Sequence, residues 1–154
     1  MEPAVYRNSE EIEAVVQKFE ACHYGLKDFS HGKHLVVAAW YLSRHPFEQA
    51  MARMRSSLLR FTAHHGVQGY HETITRFWLE LVAGHLRKVQ AGTPLVDDVN
   101  ELVRTYRDKN ILFDYYSREV VMSEEAKQRW VNPDLRALPQ VSAEVLQGLP
   151  VRTK

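Results

Sequence analysis

Apolar residues return every three or four positions along most of the chain, and this spacing constrains the fold more than any other feature. The first such set stands at i, i+3, i+4 and i+7, one face of an amphipathic helix: Ile12, Val15, Val16 and Phe19. The preceding run Asn8-Ser9-Glu10-Glu11 resembles a capping box with Asn8 as N-cap. We therefore predict a first helix over residues 9–23, which Gly25 helps to end.

The same spacing predicts further helices, separated by prolines and glycines. Ser30 is a suitable N-cap for a second helix that is apolar nearly all round, so we expect this helix to be central. Pro46 ends it and suits the first position of a third helix, which Gly66 stops. The later helices are predicted from about Tyr70 to Gln90, from Thr93 to Tyr106, from Lys109 to Tyr116 and from Ser123 to Trp130.

The third helix carries a narrow apolar seam at spacings of four and three, formed by Phe47, Met51, Met54, Leu58 and Phe61. Its arginines fall off that seam, so we expect them to face solvent: Arg53, Arg55 and Arg60. A strand would instead alternate apolar and polar residues, and no convincing alternation occurs.

The predicted fold is all-α, a single-domain bundle of about five to seven helices. A length of 154 residues suits one compact domain, and 45% hydrophobic with 25% charged residues is typical of a globular protein. Pro139, Gly148 and Pro150 interrupt the helical pattern near the end. We therefore predict a helical domain over residues 1–138 and a loosely packed C-terminal tail over residues 139–154.

Charge and cysteine content restrict the partners and the compartment. The formal net charge of +1 gives no field that would recruit nucleic acid or an acidic membrane. The longest apolar run, Leu35 to Leu42, is far shorter than the ~20 residues that span a bilayer. Residues 1–4 do not look like a secretory signal, and the single Cys22 favours a reducing compartment. We expect a cytoplasmic protein.

Histidine is the most unusual part of the composition, with eight residues. If the first four helices alternate up and down, the C-termini of the first and third meet the N-termini of the second and fourth. Six histidines then gather at one end of the bundle: His23, His31, His34, His64, His65 and His71. We expect His45 and His85 toward the other end.

Within that cluster, His31 and His34 form an H-x-x-H pair whose side chains can bind one metal ion. His71 would complete a facial set of three nitrogens, which suits a divalent transition metal, iron or zinc without distinction. Glu20 and His23 form an E-x-x-H motif that offers further ligands. The alternative is a set of surface histidines at helix ends, where the helix dipole favours them.

Four other residues are candidates for catalysis or substrate binding. We expect Glu72 or Glu20 as a metal ligand or general base, and Tyr70 or Tyr116 as a proton donor. Tyr116 and Arg118 are also expected to bind the substrate, with Arg118 as a clamp for an anion. The alternatives are an acidic first-turn residue for Glu72, core packing for Tyr116 and an exposed cation for Arg118.

Several segments resemble a family of small, uncharacterised bacterial all-helical proteins: Phe29 to Leu35, Tyr41 to Pro46, Tyr70 to Thr75 and Lys109 to Leu112 with Tyr115-Tyr116. The resemblance covers most of residues 15–130. It implies a helical fold and a bacterial origin, but no reaction. In size and histidine content the chain is also similar to DinB-like metal-binding helical bundles, although it has no H-x-x-x-H motif.

The favoured function is a small metal-binding helical protein that acts as an enzyme of the non-haem iron oxidoreductase or zinc hydrolase type. It would take a small-molecule substrate, with no nucleic acid and no membrane as partner. One alternative is a helical interaction or dimerisation module, a homodimer included, whose histidines cap helices. Another is a metal-free acid–base enzyme that uses His71.

Overall fold

The computed structural model describes residues 6–89 and 92–138, and these residues contain α-helices and one 3₁₀ helix but no strand. The helices are α1 (Ser9–Glu20), α2 (His31–Arg44), α3 (Phe47–His64), α4 (Glu72–Lys88), α5 (Leu95–Thr105), the 3₁₀ helix (Lys109–Ile111), α6 (Leu112–Tyr115), α7 (Arg118–Val121) and α8 (Glu124–Gln128). The predicted all-α single-domain bundle is confirmed. The described residues hold more short helices than predicted, because α7 was not expected and the sixth predicted helix is split in two.

The start of α1 is capped as predicted, whereas its end is not. Asn8 accepts the backbone N–H of Glu11 at 3.0 Å, and the Glu11 carboxylate turns back to the backbone N–H of Arg7 at 2.8 Å. The helix ends at Glu20, before the predicted end at residue 23. Cys22 adopts the left-handed conformation with φ 59°, so it takes the terminating role that we assigned to Gly25.

The central position predicted for α2 is confirmed, since it packs against α1, α3, α4 and α5. Ser30 caps it by accepting the backbone N–H of Lys33 at 3.3 Å. Its buried residues lie on several faces: Leu35, Val36, Val37, Ala38, Ala39, Tyr41 and Ser43. The chain leaves the helix at His45, which is extended before Pro46, and Pro46 is the N-cap of α3 rather than its first residue.

Helix α3 buries part of the predicted seam and two residues outside it, Ala50 and Ser57. The buried residues of the seam are Met51, Met54 and Phe61. Gly66 ends the helical stretch with φ 67°, and its N–H bonds to the carbonyl of Ala63 at 3.1 Å. The predicted stop at Gly66 is therefore confirmed.

The C-terminal segment of the described chain is attached to α4. Thr73 donates its hydroxyl to the carbonyl of Arg129 at 2.8 Å and accepts the backbone N–H of Val131 at 3.1 Å. The hydroxyl of Tyr116 also donates to the carbonyl of Val131. The tail predicted over residues 139–154 lies outside the described residues. Of the helices that are described, none is long and apolar enough to cross a membrane.

Candidate functional site

Three histidines each donate a ring N–H to a backbone carbonyl far along the chain, and we call them the histidine tethers. Nε2 of His31 lies 2.9 Å from the carbonyl oxygen of Tyr106, and Nε2 of His65 lies 2.9 Å from that of Tyr24. Nε2 of His71 lies 2.7 Å from the carbonyl oxygen of Val121. A carbonyl oxygen can only accept, so each of these nitrogens carries the proton. The tethers therefore connect helix ends to distant segments: the end of α5, the turn after α1 and the end of α7.

His71 uses both of its ring nitrogens within the fold. It is the N-cap of α4, because its Nδ1 accepts the backbone N–H of Ile74 at 3.1 Å. Burial lowers the pKa of His71, which keeps the ring in the neutral form that this cap requires. In this arrangement His71 has no free lone pair for a metal ion or for a substrate proton.

His31 and His34 are neighbours at the start of α2, as the H-x-x-H spacing predicts. Burial lowers the pKa of His34 to about 4, with a smaller contribution from His31. The ring of His31 packs edge-on against Trp78 at a centroid distance of 4.5 Å. Both imidazoles are thus half-buried, His31 against Trp78 of α4 and His34 against Phe29 before α2.

Helix α4 does not run as the predicted up-and-down arrangement requires. Arg55, in the middle of α3, contacts Glu72 at the start of α4, so that start lies beside the middle of α3 rather than its C-terminus. His31 meets Trp78, about 10 Å further along α4 than His71. The tether of His31 reaches Tyr106, whose ring lies 6.0 Å from that of His85. His85, expected at the other end, is therefore nearer to His31 than predicted.

The predicted set of metal ligands does not converge in the described arrangement. Over residues 6–89 and 92–138, no group of three or more His, Cys, Asp or Glu side chains is placed to hold a metal ion. Glu20 accepts a hydrogen bond from the hydroxyl of Tyr41, and His23 is exposed at the turn after α1. One physical reason is that His71 bonds backbone groups through both ring nitrogens, and another is that the start of α4 lies away from His31.

Glu72 and Tyr70 form an ion-pair network instead of an open acid–base pair. The guanidinium of Arg55 binds the Glu72 carboxylate in a bidentate manner, at 3.0 and 2.7 Å. Tyr70 donates its hydroxyl to the same carboxylate at 2.5 Å. Arg55 holds the pKa of Glu72 below its usual value, while burial raises the pKa of Tyr70. A carboxylate of lowered pKa is a weak base at neutral pH.

Tyr116 and Arg118 lie in different environments. Tyr116 is fully buried, and its hydroxyl is occupied by the carbonyl of Val131. Arg118 is exposed and places its guanidinium over the ring of Phe113 at 4.6 Å. Tyr116 is therefore part of the packed core, and Arg118 is an exposed cation.

A cleft of about 340 Å³ lies between α3, the end of α1 and the last turn of α2. We call it the α3 cleft; it is lined by Glu20, Tyr41, Gln49, Ala52, Arg53, Ser56, Ser57 and Arg60. Its volume falls at the small end of the range for small-molecule sites. Seven of its eight lining residues carry a polar side-chain group, and the exception is Ala52.

A chain of three side-chain oxygens runs along this cleft. The hydroxyl of Tyr41 donates to Oε2 of Glu20 at 2.6 Å, and Oγ of Ser57 lies 3.0 Å from the same hydroxyl. Tyr41 and Ser57 are buried, with exposed fractions of 3% and 5%. Burial and the hydrogen bond to Glu20 raise the pKa of Tyr41, so it keeps its proton.

Two exposed guanidiniums belong to the same cleft. Nη1 of Arg60 donates to the backbone carbonyl of Glu20 at 3.0 Å, which holds this arginine at the end of α1. Arg53 donates no hydrogen bond to any residue of the described chain and forms no ion pair there. Both side chains therefore retain N–H donors that face the cleft opening.

The sequence contained a signal for this cleft that we did not use. Arg53, Ser57 and Arg60 stand at i, i+4 and i+7, so they share one face of α3. Arg53 and Arg60 were each predicted to face solvent, whereas together with Ser57 they form a polar stripe along one face of α3. Tyr41 had no signal, because it lies within the apolar run of α2.

The described residues thus form an all-helical fold with a cleft beside α3. No family model, curated protein or solved structure matches this chain. The resemblance to small bacterial helical proteins and to DinB-like bundles therefore stays a prediction.

Proposed function

We propose that this protein binds a small anionic molecule in the α3 cleft. The observation that carries the proposal is the pairing of two guanidiniums that keep unused donors with a fixed hydrogen-bond chain beside them. Guanidinium groups are well suited to carboxylate and phosphate oxygens, which they bind in a planar, often bidentate geometry. The cleft residues carry two positive charges and one negative charge, so a net positive charge of one remains for the ligand.

The rigidity of the cleft favours binding over an adventitious collection of charges. Ser57 and Tyr41 are buried in the contact between α2 and α3, so their positions are fixed by the packing of two long helices. Arg60 is held by the carbonyl of Glu20. A preorganised site loses less side-chain entropy when a ligand binds.

A titration of isotope-labelled protein, followed by NMR, tests this proposal. Inorganic phosphate and glutarate are the probes, and we expect amide shifts confined to residues 20–22 and 49–60 with a Kd of order 1 mM. Arg53→Ala and Arg60→Ala should each weaken binding about tenfold. Arg104→Ala, an exposed arginine of α5, is the matched control and should leave the Kd unchanged. Shifts spread evenly over all basic residues, or an equal effect of Arg104→Ala, would show that no such site exists.

A transition-metal function remains a second candidate, supported by the pair His31 and His34. Burial lowers the pKa of both rings, and the neutral imidazole is the form that binds metal. Nδ1 of His31 stays available, since only Nε2 is used by the tether. Elemental analysis of protein purified without a His-tag, beside a His31→Ala/His34→Ala variant, tests this candidate. Equal, negligible metal in both proteins after reconstitution would reject it.

A further inference from the structure

We infer that the ligand of the α3 cleft is an anionic amino acid: a molecule with two carboxylates and one ammonium group. This inference rests on the proposed function and adds the identity of the ligand's third charged group. It follows from which groups in the cleft offer protons and which accept them.

The direction of the hydrogen-bond chain is fixed by its last member. The Glu20 carboxylate can only accept, so the single proton of Tyr41 points to Oε2 of Glu20. Tyr41 has no second proton, and Ser57 must therefore donate its own hydroxyl proton to Tyr41. Every hydroxyl proton of the chain thus points away from Ser57 and toward Glu20.

This direction leaves acceptors, and no donors, on Glu20, Tyr41 and Ser57, which we call the floor of the cleft; the side-chain donors of the lining belong to Gln49, Ser56 and the two arginines. The Oγ lone pairs of Ser57 remain, as does Oε1 of Glu20, which accepts no hydrogen bond from the described residues. A ligand made only of carboxylate or phosphate oxygens would place acceptors against acceptors here. A group with several N–H donors and a positive charge, such as an ammonium, fits this floor.

The two arginines of the cleft, which share a face of α3 with Ser57, have the complementary requirement. Arg53 and Arg60 carry only donors, and neither forms an ion pair with Glu20 in the described chain. The carboxylate and the two guanidiniums are therefore not neutralised by one another. Two carboxylates and one ammonium on the ligand match two guanidiniums and one carboxylate on the protein, charge for charge.

Two probes that differ only in the ammonium group test the inference: L-glutamate and glutarate. We expect wild-type protein to bind L-glutamate about tenfold more tightly than glutarate in the same NMR titration. Glu20→Gln should remove this preference, while its binding of glutarate stays equal or becomes tighter, because a negative charge has left the cleft. The amide oxygen of the new side chain can still accept from Tyr41, so the fold is preserved.

Glu10→Gln makes the same charge change at the other end of α1 and is the control, which should keep the tenfold preference. Ser57→Ala provides a second variant and should reduce the preference without abolishing it. Glutarate binding as tight as L-glutamate binding to wild type would overturn the amino acid inference and leave the anion site standing. Absence of localised shifts with phosphate, glutarate and L-glutamate would overturn both proposals.

Discussion

The histidine tethers and the α3 cleft are both polar, but their side chains are used in opposite ways. In the tethers, ring nitrogens donate hydrogen bonds to backbone carbonyls, at distances of 2.7 to 2.9 Å. In the cleft, the guanidiniums of Arg53 and Arg60 form no ion pair with the carboxylate of Glu20. Composition draws attention to the histidines, whereas unused hydrogen-bonding capacity indicates the cleft. A polar group whose bonds are all made within the fold supports stability, and one with capacity left can bind a ligand.

The largest effect that separates the two regions should come from His71. We expect His71→Ala to lower the free energy of unfolding by roughly 2–3 kcal/mol, because it removes both the cap of α4 and the bond to Val121. His71→Asn keeps a capping oxygen and should lose about half as much. Urea denaturation measures these changes. The exposed His23→Ala is the control, and an equally small loss from His71→Ala would break the comparison.

The second effect is a pH dependence that originates in His34. Its folded pKa of about 4 lies below that of the unfolded chain, which therefore binds more protons between about pH 6.5 and 4. Stability from this group is present above that range and is lost as the pH falls through it, by about 2 kcal/mol after allowance for partial exposure of the ring. The difference between wild type and His34→Gln, measured by urea denaturation at each pH, isolates this contribution from the carboxylates. A difference that does not change with pH would contradict it.

A smaller effect tests the hydrogen-bond chain of the cleft. Tyr41→Phe removes the hydroxyl that joins Ser57 to Glu20 and should lower the free energy of unfolding by about 1 kcal/mol. It should also reduce the preference for L-glutamate over glutarate without abolishing it, since Ser57 is no longer held as an acceptor while the Glu20 carboxylate remains. Tyr6→Phe, outside the lining of the cleft, is a suitable control for the loss of a tyrosine hydroxyl. An undiminished preference in Tyr41→Phe would show that the chain does not orient the floor.

The smallest effect sharpens the comparison by its absence. Arg118→Ala removes an exposed guanidinium that lies over Phe113 and should change the free energy of unfolding by less than about 0.5 kcal/mol. Its phosphate Kd should equal that of wild type, unlike the Kd of Arg60→Ala. Weakened phosphate binding by Arg118→Ala would restore Arg118 as the anion contact that its sequence position suggested.

Features that depend on neighbouring residues were predictable from the sequence. The capping roles of Asn8 and Ser30 and the stop at Gly66 are each decided within one helical turn, and all three were predicted correctly. The all-helical fold class follows from the apolar period in the same way. The prediction that Gly25 helps to end α1 was wrong, because Cys22 adopts the left-handed conformation and ends the helix earlier.

Features that depend on how helices cross were not predictable. The crossing of α3 and α4 is marked by the ion pair of Arg55 with Glu72, which lie 17 residues apart in sequence and belong to different helices. That crossing decides which histidines are neighbours. The α3 cleft likewise needs Tyr41 of α2 beside Ser57 of α3, and no local spacing specifies that contact.

The two hydrogen bonds of Thr73 have a practical consequence for anyone who shortens this chain. The side chain of Thr73 on α4 bonds both the carbonyl of Arg129 and the amide of Val131, as the backbone of a neighbouring strand would. The shortest fragment that keeps both hydrogen bonds of Thr73 must therefore extend to Val131, beyond the end of α8 at Gln128. A truncation placed directly after Gln128 would remove both partners of that hydroxyl.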